Sequence, residues 1–227
     1  MILQEYILFS GEIVSRSGLR IGGSGGQLEI GAVDNTILRH PLSDEPYIPG
    51  SSLKGKLRSG LEALQQNHDS RGQPQDVAPC GCGRCLVCRL FGPYQNTRSE
   101  AGPTRLLVRD LPLTEATRQA IREYTQQGLS YIEEKTENLI NRKTRAATNP
   151  RTSERVPSGL AFDLQLVLRV FEGDKRDELI DAVERALGLA TIEGLGGSVS
   201  RGYGQIQVRD LRWTARRAAD ERVSSTS

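Results

Sequence analysis

Four cysteines fall within nine residues, Cys80-Gly-Cys82-Gly-Arg-Cys85-Leu-Val-Cys88, and the chain holds no others. The C-x-C-x-x-C-x-x-C spacing lets short turns aim several thiolates at one point, as a tetrahedral zinc ion demands, whereas cysteines so close in sequence make awkward disulfide partners. Gly81 and Gly83 suit a loop that wraps a metal, because they admit backbone angles that a Cβ resists. Four soft ligands leave no open position for a catalytic water, so the expected zinc is structural; His68, upstream of the cluster, is a substitute for one thiolate. The competing reading is a pair of local disulfides in a secreted protein. It fits less well with the N-terminus MILQEYILFSGE, which lacks a basic leader and a small-residue cleavage site. The expected location is the cytoplasm, and no apolar run approaches the ~20 residues that span a bilayer.

Thirty basic residues against 28 acidic ones leave a net charge of +2, so total charge says little about partners. Its distribution says more. Between positions 135 and 155 the cations Lys135, Arg142, Lys143, Arg145, Arg151 and Arg155 stand against Glu137 and Glu154 alone. A basic stretch rich in Thr and Asn suits a polyanion, although a solvated hairpin would carry the same charge. Lys54, Lys56 and Arg58 follow the capping sequence Gly50-Ser-Ser, where cationic side chains and unpaired helix amides can act together on a phosphate.

These residues need elements to hold them. With 37% hydrophobic residues, the 227-residue chain can bury a sizeable core. The first fifteen residues, with Tyr6, Ile7, Leu8, Phe9, Ile13 and Val14, predict a strand, and a glycine-rich loop to Asp34 follows. Leu53, Leu57, Leu61 and Leu64 predict an amphipathic helix reaching about His68. The cysteine insertion occupies 67–103, a strand is expected over 104–109, and a short helical pattern covers 114–124. Leu160, Phe162, Leu164, Leu166, Leu168 and Val170 alternate as a strand with one buried face. A second helix carries Leu179, Ile180, Val183 and Leu187, with Asp174 as its cap and Gly188 as its end. Beyond the glycine-rich run 193–204, Ile206 and Val208 mark a last strand. The order β-α-β-β-α-β predicts an α+β, ferredoxin-like (RRM-like) antiparallel sheet with two helices, in one domain over 1–213. The tail 214–227 is expected to fray.

Several segments in this order resemble a known family: Gly31-Ala-Val-Asp34; Pro46-Tyr-Ile-Pro-Gly-Ser-Ser-Leu-Lys-Gly-Lys-Leu-Arg58; Thr136-Glu-Asn-Leu-Ile-Asn-Arg-Lys-Thr; Ala147-Thr-Asn-Pro-Arg151; Glu154-Arg-Val156; and the terminal glycine loop. The chain resembles the RAMP-superfamily backbone subunit of Csm-type (type III) CRISPR effector complexes. The resemblance implies copies stacked along a guide crRNA beside other complex subunits, with base pairing reading the target RNA and the protein gripping phosphate and sugar. Lys54, Lys56 and Arg58 fit that task, as do Gly196, Gly197 and Arg201, and the arm cations Arg142, Lys143, Arg145 and Arg151. The resemblance makes about 131–156 a β-hairpin thumb that displaces a nucleotide, with Leu139 or Ile140 as wedge. It also implies target cleavage at regular intervals by a carboxylate at Asp34, assisted by Mg²⁺ or Mn²⁺.

Two other functions remain at this level: an inert RNA-binding scaffold in which Asp34 only caps a turn, and a metal-independent guide-processing ribonuclease. The second needs a histidine or tyrosine base, and the chain offers His40, before Pro41, and His68 alone as histidines.

Overall fold

The computed structural model describes residues 1–22, 35–76 and 78–220. In chain order its elements are β1 (Leu3–Ser15), α1 (Gly50–Glu62), α2 (Leu86–Phe91), β2 (Leu106–Val108), α3 (Glu115–Gln126), β3 (Glu133–Ile140), β4 (Ala147–Arg155), β5 (Ala161–Phe171), α4 (Arg176–Glu193) and β6 (Ile206–Arg217). Alternation dictates the sheet. Ile7, Phe9 and Ile13 of β1 lie opposite Leu168, Leu166 and Phe162 of the antiparallel β5, and all six are buried on one face. β2 extends this pair beyond β5 and β6 extends it beyond β1, giving a four-stranded antiparallel sheet of order β2-β5-β1-β6. Leu53, Leu57 and Leu61 of α1 and Leu179, Val183, Leu187 and Ala190 of α4 join the same apolar cluster. Among the named strands β3 and β4 pair with each other, as a separate two-stranded hairpin.

The ends of several elements depart from the sequence expectation, each for a local reason. α1 stops at Glu62, and Leu64 is left 51% exposed rather than continuing the apolar stripe. Asp174 does not cap α4, whose N-cap is Lys175. Its carboxylate instead takes both Nε and Nη2 of Arg105 at 3.0 Å and the Phe171 amide at 3.0 Å. α4 runs through Gly188 and ends at Gly194, whose φ of 84° only glycine adopts readily. The last strand continues beyond Val208 to Arg217, with Thr214, Ala215, Arg216 and Arg217 paired to Leu8, Ile7, Tyr6 and Glu5, so these residues stand in the sheet.

β6 also carries a bulge. Ser10 pairs with Arg212 and Glu12 with Arg209, so Asp210 and Leu211 together oppose Gly11, and Asp210 adopts φ 51°. A Cβ on Gly11 would sit 2.8 Å from the Arg209 carbonyl oxygen and 3.2 Å from the Leu211 Cα, so the bulge requires glycine there.

Candidate nucleic-acid interface and cysteine knuckle

The cysteine loop and the start of α2 bring all four Sγ atoms within 4.8 Å of one another. Cys80 and Cys85 are 3.8 Å apart, and Cys82 and Cys88 3.9 Å. A zinc ion with Zn–S bonds of about 2.3 Å in a tetrahedron sets its sulfurs about 3.8 Å apart, so the donor set fits that ion. The thiols are free, and these separations are far beyond a disulfide bond. Backbone amides already point at the sulfurs: Cys88 donates to Cys85 Sγ and His68 to Cys80 Sγ, each at 3.4 Å. His68 therefore meets the knuckle through its main chain, while the converging ligand group consists of the four cysteines. Donation from the Cys88 thiol, then from the Cys88 amide and the Gln65 side chain, outweighs burial and lowers the Cys85 thiol, while the bond given to Cys85 pushes Cys88 up and burial pushes Cys80 up, so one proton is favoured off at Cys85.

The knuckle is bolted to α1. Glu62 Oε1 accepts the Cys80 amide at 2.8 Å and Arg58 Nε at 2.8 Å, while Arg58 Nη2 donates to the Cys80 carbonyl at 2.8 Å. Arg58, expected at RNA, thus supports the metal loop. Lys56 pairs with Glu193 at 2.7 Å, and Asp110 takes the Gly50 amide at 2.7 Å, which fills one helix-start donor. Lys54 makes no such pair among the described residues. Burial first, then Arg58 and Arg169, push its ammonium below the usual lysine range. Like-charged company of this kind is relieved by an anion.

The glycine loop is shaped by packing. Gly197 donates its amide to the Arg20 carbonyl at 2.8 Å, so that amide is not free for a phosphate. Gly196 has φ 84°, and a Cβ there would lie 2.3 Å from the same carbonyl oxygen. Arg201 remains largely exposed, donating to Glu137 Oε2 at 3.0 Å and to Ser198 Oγ at 2.8 Å.

Glu137 connects this loop to the hairpin. Tyr203, 3% exposed, donates its hydroxyl to Glu137 Oε1 at 3.1 Å, and Lys135 and Arg155 lie over its ring at 4.6 and 5.0 Å. Hydrogen bonding from Lys135 and Tyr203, with the charge of Arg201, holds the Glu137 carboxyl below its usual range. Arg155 also pairs with Glu133. The tip is different in kind. Arg142, Lys143 and Arg145 stand exposed in the turn where Asn141 Oδ1 accepts the Lys143 and Thr144 amides, and Leu139 and Ile140 beside it are 65% and 57% exposed. Arg151 joins Arg201, Asn138 and Asn149 around a cleft of about 510 Å³. Arg142, Lys143 and Arg145 thus share the hairpin tip and Arg151 and Arg201 share the cleft, while Lys54 stands on α1.

Asp34 falls outside the described residues. Its neighbour Asn35 bridges Ser153, and the Asn35 carbonyl accepts the Glu154 amide at 2.9 Å. Glu154 in turn accepts the Ile37 amide at 3.1 Å and Arg39 Nη2 at 2.7 Å. The segment after Asp34 is thus tied to the hairpin root. Sequence reading missed these ties, since Glu154 and Arg39 lie 115 positions apart. Arg58 and Glu62 were detectable as an i,i+4 pair. His40 uses Nδ1 to accept the Leu42 and Ser43 amides and thereby closes a turn.

Known proteins resemble this chain along most of its length. The family model of the RAMP superfamily matches residues 12–207. A Methanothermobacter thermautotrophicus protein named CRISPR system Cms endoribonuclease Csm3 is 40% identical over 225 residues, spanning 93% of this chain and 87% of its own length. The Streptococcus thermophilus protein of the same name is 36% identical over 211 residues, spanning 92% and 89%. Among solved structures, the Csm3-Csm4 subcomplex of the type III-A CRISPR-Cas interference complex matches with a TM-score of 0.62 at 26% identity, covering 96% of this chain and 83% of that one. The type III-B Cmr-beta complex bound to cognate target RNA shares the fold, with a TM-score of 0.61 at 19% identity over 92% of this chain and 61% of that one. Matched along nearly its full length by both the family model and these relatives, the chain belongs to the RAMP superfamily, within the family of the Csm3 endoribonucleases.

Proposed function

We propose that this chain is the guide-RNA-binding backbone subunit of a type III CRISPR interference complex, and that it cleaves complementary target RNA at regular intervals through Asp34. The observation that carries the reading is full-length similarity to proteins named as Csm3 endoribonucleases. Supporting it, the segment beginning at Asn35 is fastened to the root of a hairpin whose tip presents Arg142, Lys143 and Arg145. The core is read as a ferredoxin-like unit and the hairpin as the thumb that reaches a neighbouring copy. No described helix is long and apolar enough to cross a membrane, and the complex is assigned to the cytoplasm, with guide crRNA, target RNA, further copies and other type III subunits as partners.

Phosphodiester cleavage needs the attacking oxygen in line with the leaving oxygen. The hairpin supplies the means: exposed Leu139 and Ile140 can wedge a nucleotide out of the duplex while the tip cations hold its phosphates. Asp34 provides a carboxylate for a divalent cation, Mg²⁺ or Mn²⁺, whose chemistry when bound is to stabilise charge on the phosphate oxygens. Zinc at the four cysteines serves the fold, since four thiolates close its coordination. For a metal-independent mechanism His40 has Nδ1 committed to the Leu42 and Ser43 amides, which leaves the His68 imidazole beside the knuckle as the other histidine base.

The test is cleavage of end-labelled complementary RNA by the assembled guide complex in Mg²⁺, comparing Asp34→Ala with the unchanged chain at equal target binding. Evenly spaced products that vanish in the variant support the reading. Products that persist move catalysis to another residue, and absence of products from both leaves an RNA-holding scaffold. Products that survive EDTA point to the metal-independent alternative.

A further inference from the structure

The bulge in β6 has an effect on the sheet face turned away from α1 and α4. Without it, Arg209 and Arg212 would alternate to opposite faces. With it, Arg209 lies opposite Glu12, Arg212 opposite Ser10 and Arg216 opposite Tyr6, and these three β1 residues are outward partners of the inward Ile7, Phe9 and Ile13. All three arginines are exposed and share one face. At the rise of an antiparallel strand, Arg209 and Arg212 stand about 7 Å apart along the sheet and Arg212 and Arg216 about 14 Å. The exposed outward cations are Arg209, Arg212 and Arg216, against Glu12 and Asp163, while the half-buried Arg169 is engaged by the Thr104 carbonyl and the Phe171 ring. Glu12 is already answered by Arg209 at 3.0 Å. Charge that merely guards a sheet edge needs no common face. Here a left-handed aspartate and a glycine that admits no Cβ form the bulge that creates one.

The row leads into a groove. Arg209 and Glu12 also line a cavity of about 670 Å³ whose walls include Ile121, Tyr124, Tyr131 and Leu160. None of the residues of α3 is buried, so its apolar side stays open to this space. Tyr131 is fixed by its hydroxyl bond to the Asp44 carbonyl at 2.9 Å, and Tyr124 is 53% exposed. Exposed cations in file that end at a cavity walled by aromatic rings combine the two features by which proteins hold single strands: charge along the backbone and rings for the bases.

We infer that the outer face of the sheet, from Arg216 through Arg212 and Arg209 into the α3 groove, is a second binding surface for single-stranded RNA, separate from the hairpin cleft around Arg151 and Arg201. The phosphates follow the arginines and one base enters the groove against Tyr124 and Tyr131. The surface stands whether or not Asp34 is the cutting residue.

The probe is an oligouridine carrying 4-thiouridine, photo-crosslinked to the full chain, with cross-linked peptides identified by mass spectrometry. Cross-links are expected in α3 or 129–132 and in β6, alongside others in the hairpin. Arg212→Ala/Arg216→Ala replaces two exposed side chains, with loss of the Arg212 bond to Ser10 Oγ; it is expected to abolish the α3 and β6 cross-links, keep the hairpin ones, and lower the salt slope of log K by about 1.4, at roughly 0.7 per contact on a single strand. Tyr124→Ala is expected to remove the α3 cross-link alone. Cross-links confined to the hairpin, or an unchanged slope, overturn this surface and leave the proposed function standing. Loss of all cross-linking overturns both. If poly-L-glutamate protects the β6 arginines from modification and oligouridine does not, the face belongs to an acidic protein partner and the inference fails.

Discussion

Arg58 and Glu62, one turn apart on α1, hold the Cys80 residue from both sides: Glu62 accepts its amide and Arg58 donates to its carbonyl. The pair also bonds to itself at 2.8 Å in largely buried surroundings. A helix of the main core thereby dictates where the first thiolate of the knuckle begins.

Removing the metal should accordingly loosen the insertion 67–103 before the sheet. Titration with a thiol-specific mercurial and a chromogenic chelator is expected to release a single zinc ion per chain, from the one four-cysteine group found among the described residues. Cys88→Ser, at a buried ligand, should release it spontaneously and lower the melting temperature, whereas Glu62→Gln should keep the zinc and melt earlier than the unchanged chain.

Asp174 and Arg105 form an ion pair whose side chains are only 6% and 3% exposed. Removing one partner leaves a buried charge unanswered, so Asp174→Asn is expected to cost roughly 3–5 kcal/mol by urea denaturation. Burial opposes the Asp174 charge, but hydrogen bonds from Arg105 and the Phe171 amide outweigh it and hold the carboxyl below its usual range. A depressed carboxylate contributes stability above its unfolded pKa, near 3.9, and loses that contribution as pH falls through the lower folded value. Acid unfolding of the unchanged chain should show this loss below about pH 4, and Asp174→Asn should flatten it.

Gly196→Ala places a Cβ against the Arg20 carbonyl in a backbone conformation of φ 84°. The expected loss is roughly 1–3 kcal/mol from the conformation, with more from the contact. Gly197→Ala is the control, since its Cβ would come no nearer than 3.7 Å, to Arg20 Nε.

Glu137→Ala removes the acceptor shared by Tyr203 and Arg201. Amide hydrogen exchange over 133–155 is expected to quicken while the core strands β1 and β5 keep their protection and the melting temperature barely moves. Uniformly faster exchange throughout the chain would mean that Glu137 supports the whole fold.

The sheet was legible because its signal is local. The even-numbered apolar run from Phe162 to Val170 and the leucines of α1 and α4 report their own burial at periods of 2 and 3.6 residues. The cysteines were legible for the same reason, with all four ligands inside nine residues. Ends of elements were not. Asp174 has the composition of a cap, yet Arg105, far away in sequence, claims its carboxylate, and no window of neighbouring residues contains that competition. Arg58 read as a phosphate ligand because charge and helix position were visible, while its obligation to Cys80 was not. Gly196 and Gly197 read as donors to phosphate for a similar reason, since the Arg20 carbonyl that meets them arrives from the other end of the chain.

The hairpin is a cantilever. Its root is pinned by Glu154 to Arg39 and Ile37, by Glu137 to Tyr203 and by Arg155 over the Tyr203 ring, whereas its free end from Leu139 to Ala147 is held by its own turn and strand pairing. In a beam clamped at one end, a small rotation at the clamp becomes a large displacement at the tip. Substitutions at the root should therefore displace the tip without touching it, and in the stacked assembly proposed above the same offset would recur at every step, altering the pitch of the whole array.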